Sequence, residues 1–262
     1  MILFCHKIIL SITITGAVFL TSVTAGLSAV VVFDDATTVR TPIRIKVLTK
    51  SRFFARGGRL VDIYLNEHHL KRILTGGDGY GYFKYTPRKA GLNSIEARSG
   101  AHSASGLHLV THKNDKVIII DIEGAFKDAV FSESVRENSR EAVNALSEEY
   151  KIIYIRRFFD KDISRSWLEK EAFPKSAILD WQGINTIKLL KKRGLRLDAV
   201  IGSAAVMAAA KKHVEHRYTF EKSKDGQMVN GWDEILDLLQ PAAPPENRQN
   251  RLPVQEIAVG AP

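Results

Sequence analysis

Polar and apolar positions begin to alternate just after residue 40. Ile43, Ile45 and Val47 alternate with Arg44 and Lys46, which predicts a half-buried strand. Leu60-Val61-Asp62-Ile63-Tyr64-Leu65 reads as another. Gly76-Gly77-Asp78-Gly79 signals a turn, and Tyr80, Tyr82 and Tyr85 follow it on a strand. Pro87 and Gly91 bracket a further turn, and Leu92 to Ala97 continues extended. Gly100 to Gly106 reads as a small-residue loop before Leu107-His108-Leu109-Val110. Short strands with turns this close predict a small all-β sandwich over 40–112.

The pattern changes at Lys116. Val117-Ile118-Ile119-Ile120 is continuously apolar, as in a strand covered on both faces, and it runs into Asp121-Ile122-Glu123-Gly124. Ser134 and Glu137 have the spacing of a capping box, ahead of Ala142, Val143, Leu146 and Tyr150 at helical spacing. A second strand falls at Ile152–Ile155. After it, Asp162 or Ser164 would cap a helix that buries Ile163, Trp167 and Leu168. Ala177-Ile178-Leu179 predicts a third strand, and Ile184, Ile187 and Leu190 a helix that Gly194 stops. Ala199-Val200-Ile201, an alanine-rich helix, Arg217–Phe220 and a last helix from Trp232 to Leu239 complete the alternation. Strands alternating with helices predict a parallel, doubly wound sheet over 113–240, with ligands beyond the carboxyl ends of its strands. From Pro241 to Pro262 large apolar residues are too few to pack, which predicts a disordered tail.

Residues 8–33 carry no charge; Lys7 precedes them and Asp34-Asp35 close them. A positive start followed by an apolar run is an export pattern. Residues 1–33 are therefore read as a signal peptide or a membrane anchor. Small residues around Thr24–Ala29 suit cleavage, and the length suits a span. The expected location is extracytoplasmic, periplasmic or secreted, with anchoring in the inner membrane as the other outcome. The membrane is then a partner through this segment when it is not cleaved. The single cysteine, Cys5, lies before the apolar run and excludes both an intrachain disulfide and a multi-cysteine metal site.

The net charge of +9 favours anionic partners such as phosphorylated ligands, lipid headgroups or acidic polysaccharide. Basic runs such as Lys191-Lys192-Arg193 read as solvated helix faces, and no nucleic acid is expected. His68, His69, His102, His108 and His112 are scattered without carboxylates at ligand spacing, so they read as strand and loop residues. No phosphate-binding loop of the G-x-x-x-x-G-K-[ST] type and no G-x-G-x-x-G after the first apolar strand occurs.

Asp78, Gly81, Tyr85, Pro87 and Gly91 lie in a stretch, Thr75 to Gly91, that resembles the immunoglobulin-like modules of bacterial surface proteins. That resemblance implies a fold and no chemistry. A second one rests on Asp121-Ile-Glu-Gly124, Phe173-Pro174-Lys175, Ala177-Ile-Leu-Asp-Trp181 and Leu197-Asp-Ala-Val-Ile-Gly-Ser203, in that order. This half of the chain resembles the haloacid-dehalogenase-like (HAD-like) superfamily, in its lipin-type and related phosphatase branch. The resemblance implies an α/β Rossmannoid domain in which Asp121 is the nucleophile and Glu123, one methylene longer than the usual Asp, is the acid–base group. It implies Mg²⁺ resting on Asp121, although the acids expected after the fourth strand are replaced by Ser203 to Val206. Arg156 or Arg157 then stands where phosphate is held, and Lys188 or Lys191 supplies the neutralising lysine. The implied function is an extracytoplasmic phosphohydrolase relative with impaired or lost Mg²⁺-dependent phosphatase activity. The alternative is a non-catalytic binding or cell-envelope interaction protein.

Overall fold

The computed structural model describes residues 29–51, 54–127 and 134–240. Most of the expected leader, residues 1–28, and the expected disordered tail, 241–262, lie outside the described residues. Among the described residues, no helix is long and apolar enough to cross a membrane.

Residues 29–111 form eight strands in two sheets. The three-stranded sheet has the order β1 (Ala29–Val32), β3 (Ile43–Lys50), β6 (Tyr80–Tyr85), all antiparallel. The five-stranded sheet has the order β2 (Asp35–Thr38), β8 (His102–Thr111), β7 (Gly91–Ser99), β4 (Leu60–Leu65), β5 (His68–Leu74). It is mixed, because β2 runs parallel to β8. Val30, Val32, Ile43, Ile45 and Val47 of the first sheet and Val61, Ile63, Ile95 and Ala97 of the second share one buried apolar cluster. The period-2 alternation of β3 therefore points its apolar row at the facing sheet. Residues 29–33 fall in the expected leader and 34–38 ahead of the expected sandwich, yet 29–38 supply β1 and β2. Residues 102–106, read as loop, are strand. Gly106 is required there: a Cβ would come within 2.8 Å of Val32 Cγ1, where β1 passes over β8.

Residues 116–228 supply a parallel sheet in the order β11 (Ile178–Asp180), β10 (Lys151–Arg156), β9 (Lys116–Asp121), β12 (Arg196–Ile201), β13 (His216–Thr219), β14 (Gln227–Met228). Alternate residues of β9 enter opposite cores, which is why its run is apolar without interruption. Ile118 and Ile120 pack with α1 (Ile122–Phe126), α2 (Ser139–Glu149) and α6 (Trp232–Leu239). Val117 and Ile119 pack with α4 (Ile184–Lys192) and α5 (Ala204–Ala210), together with Ala36 of β2 and Leu109 of β8. The β layers are thus fastened to one face of the parallel sheet by a shared apolar core.

The expected fold class, a HAD-like α/β Rossmannoid domain with a small immunoglobulin-like sandwich, is corrected. The described chain is β-rich, 40% strand against 25% helix, and the parallel sheet is one of three. The physical reason is that helix–strand alternation reports local order only, whereas the pairing of 29–38 with distant strands decides how the layers assemble. Smaller corrections follow the same logic. The helix expected right after Ser134 starts later: α2 begins at Ser139 behind a left-handed Asn138 with no side-chain cap. Helix α3 (Lys161–Lys170) is capped by Asp160, which accepts from Asp162 N at 2.8 Å. Ile163, expected to be buried, is exposed.

Candidate functional site

At the carboxyl ends of β9, β10, β12 and β13 lies a cleft of about 340 Å³, lined among others by Glu123, Lys127, Arg136, Arg157, Ser203 and Phe220. Strand ends in a parallel sheet converge there, because each chain leaves its strand toward a helix on one face or the other.

Asp121 ends β9 and is fully buried. Its Oδ2 accepts from Ser203 Oγ at 2.8 Å and from Ser203 N at 3.2 Å, and Arg157 Nε lies 3.3 Å from Oδ1. Glu123, in the first turn of α1, is also buried and accepts from Arg157 N at 3.1 Å and Phe158 N at 3.4 Å. Both carboxyls therefore tie the end of one strand to the ends of its neighbours. Arg136 donates to Lys127 O at 3.0 Å and lies 4.2 Å over the ring of Phe220. Lys127 Nζ sits 4.8 Å from the centroid of Phe159 and 5.0 Å from that of Trp167.

The other residues named from sequence lie elsewhere. Arg156 pairs with Asp180 and donates to Phe159 O, on the β11 side of β10. Lys188 and Lys191 are exposed on α4, and Lys191 donates to His213 O at 3.0 Å. Only Asp121, Glu123 and the alternative Arg157 meet in the cleft. Lys127 and Arg136 were missed. They follow no motif, and they approach because Arg136 N donates back to Phe126 O at 2.7 Å.

Mg²⁺, implied by the superfamily resemblance, does not fit these residues. Asp121 Oδ2 is taken by Ser203 and Oδ1, which accepts no hydrogen bond from the described residues, faces the Arg157 guanidinium as an ion pair, while Glu123 accepts from two backbone N–H groups. Among the described residues, no three His, Cys, Asp or Glu side chains gather as a ligand set. A hard divalent ion wants several free oxygens, and the cation beside Asp121 is a guanidinium.

The close packing around Asp121 yields a prediction. A Cβ on Gly202 would stand 2.4 Å from Asp121 Cβ, so Gly202→Ala forces the strand ends apart. The expected loss is about 1–3 kcal/mol of stability, read from chemical denaturation. A midpoint equal to that of the parent chain would show that the strand ends give way freely.

No family model matches the chain. No curated protein matches it either. Several solved structures are similar over about a third of it. The CARDB domain of a Pyrococcus furiosus protein is 17% identical, with 32% of this chain and 92% of that one covered at a TM-score of 0.26. An IG27 protein domain is 10% identical, covering 33% and 95% at 0.28. Fibronectin(III)-like modules of Clostridium thermocellum are 11% identical, covering 32% and 97% at 0.24.

The expected membership of the HAD-like superfamily and its lipin-type branch is corrected: no family model matches the chain, and the neighbours named above are immunoglobulin-like and fibronectin-like β domains. The hydrolase and phosphatase descriptions are corrected with it. An acidic residue at the end of an apolar strand is also what a fold needs when it ties strand ends together through a buried carboxylate, and sequence spacing does not separate the two uses.

Proposed function

We propose that this chain is a non-catalytic binding protein of the cell envelope, standing outside the cytoplasm, that takes a small anionic ligand in the strand-end cleft. The reading is carried by one observation: Glu123 and the enclosed Asp121 are held by structural contacts and Glu221 accepts from Ala204 N, while Lys127, Arg136 and Arg157 line the same space. A buried carboxylate held by a hydroxyl, an amide and a guanidinium is a poor nucleophile, because attack would break each of those contacts. Three cations around a concave, partly apolar space suit an oxyanion, and guanidinium groups bind phosphate or carboxylate through paired N–H donors. The location rests on Lys7 and the uncharged run behind it.

Calorimetry of the full chain in detergent, with inorganic phosphate as the probe and a chelator present, tests the reading. Binding is expected without any divalent ion. Lys127→Ala should weaken it about ten-fold, the scale of one charge-assisted hydrogen bond. Absence of heat with phosphate, or an affinity untouched by Lys127→Ala and Arg136→Ala together, overturns the assignment of this cleft.

A further inference from the structure

A second, separate space lies between the β layers and the parallel sheet. Two cavities of about 200 and 380 Å³ share Phe33, Asp34 and Asp180, so one groove runs between the outer face of β1–β3–β6 and the β11 edge. Tyr82 forms part of one wall and is 53% exposed, which is high for a large ring on a sheet. It belongs to an aromatic row: Tyr82 stacks on Tyr80 with ring centroids 6.3 Å apart, and Tyr80 lies 6.3 Å from Phe33. Lys46 Nζ crosses that row, 4.2 Å from the centroid of Phe33 and 4.5 Å from that of Tyr80. The facing wall presents Gln182 and Leu189, both exposed.

The charges at this end of the groove do not balance. Each carboxylate is paired: Asp34 with Lys161 and Arg165, Asp35 with Arg193, Asp180 with Arg156. Arg44 and Lys84, opposite each other across β3 and β6 and both exposed, have no carboxylate within 4.0 Å among the described residues. Lys46 has only rings beside it. Two further acids, Asp160 and Asp162, lie at the far end of the groove, where Asp160 caps α3 and the exposed Asp162 stands 3.6 Å from Lys161. Arg44 and Lys46 thus line the groove beside an exposed ring without a carboxylate partner among the described residues, and Lys84 stands next to Arg44 on the same sheet, just outside the lining.

We infer that this groove binds a linear acidic glycan. The C–H face of a sugar ring is apolar and carries partial positive charge, so it stacks on the negative face of Tyr82. Carboxylates along the glycan meet Arg44, Lys46 and Lys84, and the amide of Gln182 offers both a donor and an acceptor to hydroxyls. An open groove walled on two sides admits an extended chain and excludes a bilayer surface. An acidic peptide satisfies the cations but brings no regular flat apolar face to the ring. This inference stands independently of the anion cleft, which shares no lining residue with the groove.

The test is calorimetry of the full chain in detergent against polygalacturonate, with dextran as the neutral glycan and poly-glutamate as the acidic peptide. Polygalacturonate should bind, and dextran and poly-glutamate at least about ten-fold more weakly. Tyr82→Ala and Arg44→Glu should each weaken polygalacturonate binding about ten-fold. Both side chains are exposed, so the thermal midpoint should hold, whereas Lys127→Ala should leave glycan affinity unchanged. Failure of polygalacturonate to bind overturns the inference. Equal affinity for dextran overturns the role of the cations. Equal affinity for poly-glutamate, with no effect of Tyr82→Ala, reduces the groove to a polyanion surface and overturns it as well.

Discussion

Asp34→Asn is expected to lower the unfolding free energy by about 3–5 kcal/mol, because it takes the enclosed counter-charge from Lys161 and Arg165 and leaves only the exposed Asp162, 3.6 Å from Lys161. The Asp34 carboxylate is fully enclosed. Its Oδ1 accepts from Leu107 N at 3.0 Å and lies 3.6 Å from Lys161 Nζ. Its Oδ2 accepts from Ile178 N at 2.9 Å and from Arg165. Lys161 in turn donates to Val32 O at 2.7 Å and Ser105 O at 3.0 Å. One carboxylate therefore joins the end of β1, strand β8, helix α3 and strand β11, and it is the polar pin between the β layers and the parallel sheet. Asparagine keeps the shape and an acceptor oxygen but removes the charge that two buried cations need. Denaturation followed by the fluorescence of Trp167 and Trp232 measures the loss. Adding Lys161→Met to Asp34→Asn should recover part of it, since one stranded charge is then gone. A loss under about 1 kcal/mol for Asp34→Asn would mean that water reaches the junction and solvates both cations.

The second large effect is a fall in stability as the solution is acidified from about pH 6.5 toward pH 4. His108 lies on β8 at the same junction, and neither ring nitrogen has a hydrogen-bond partner. Burial first, and then the positive charge of Arg193, push its imidazole down from the ordinary 6.5 to about 4. Tyr85 meets it edge-on, with centroids 6.2 Å apart, and offers no charge. The unfolded chain takes up a proton at this histidine below about pH 6.5, while the folded chain stays neutral there until about pH 4. The unfolded state binds more protons throughout that window, so stability falls with pH. The contribution approaches about 3 kcal/mol at the lower end. His108→Leu removes the titrating group and fills a similar space, so its stability should be flatter over the same window. Because other carboxylates also titrate at low pH, the quantity to compare is the difference between the two chains. An identical slope in both would show that His108 takes up its proton without unfolding.

These two residues also show where sequence reading reaches its limit. Asp34 follows an apolar run and reads as a charge that closes it, because an Asp-Asp pair has the same local appearance whether solvated or enclosed. Its partner Arg165 lies 131 residues further along the chain. His108 reads as one of several scattered strand or loop histidines, and only the approach of β2 and α4 to β8 takes it out of water. Lys127 and Arg136 reach the strand-end cleft through a backbone bond that closes after α1, with no spacing to announce it.

Strand positions were legible where the signal is local. The alternation of Ile43, Ile45 and Val47 needs nothing beyond the geometry of an extended chain with one face in a core. The uninterrupted Val117–Ile120 needs only that both faces be covered. The same runs say nothing about which sheet stacks on which, nor which end of β9 meets which arginine. Strand pairing and layer packing bring together residues far apart in the chain, and their energy comes from areas and charges that meet only after folding. Asp121 shows the consequence: its place at the end of an apolar strand could be read in advance, whereas its hydrogen bonds from Ser203 and its ion pair with Arg157 exist only because β9, β10 and β12 end side by side.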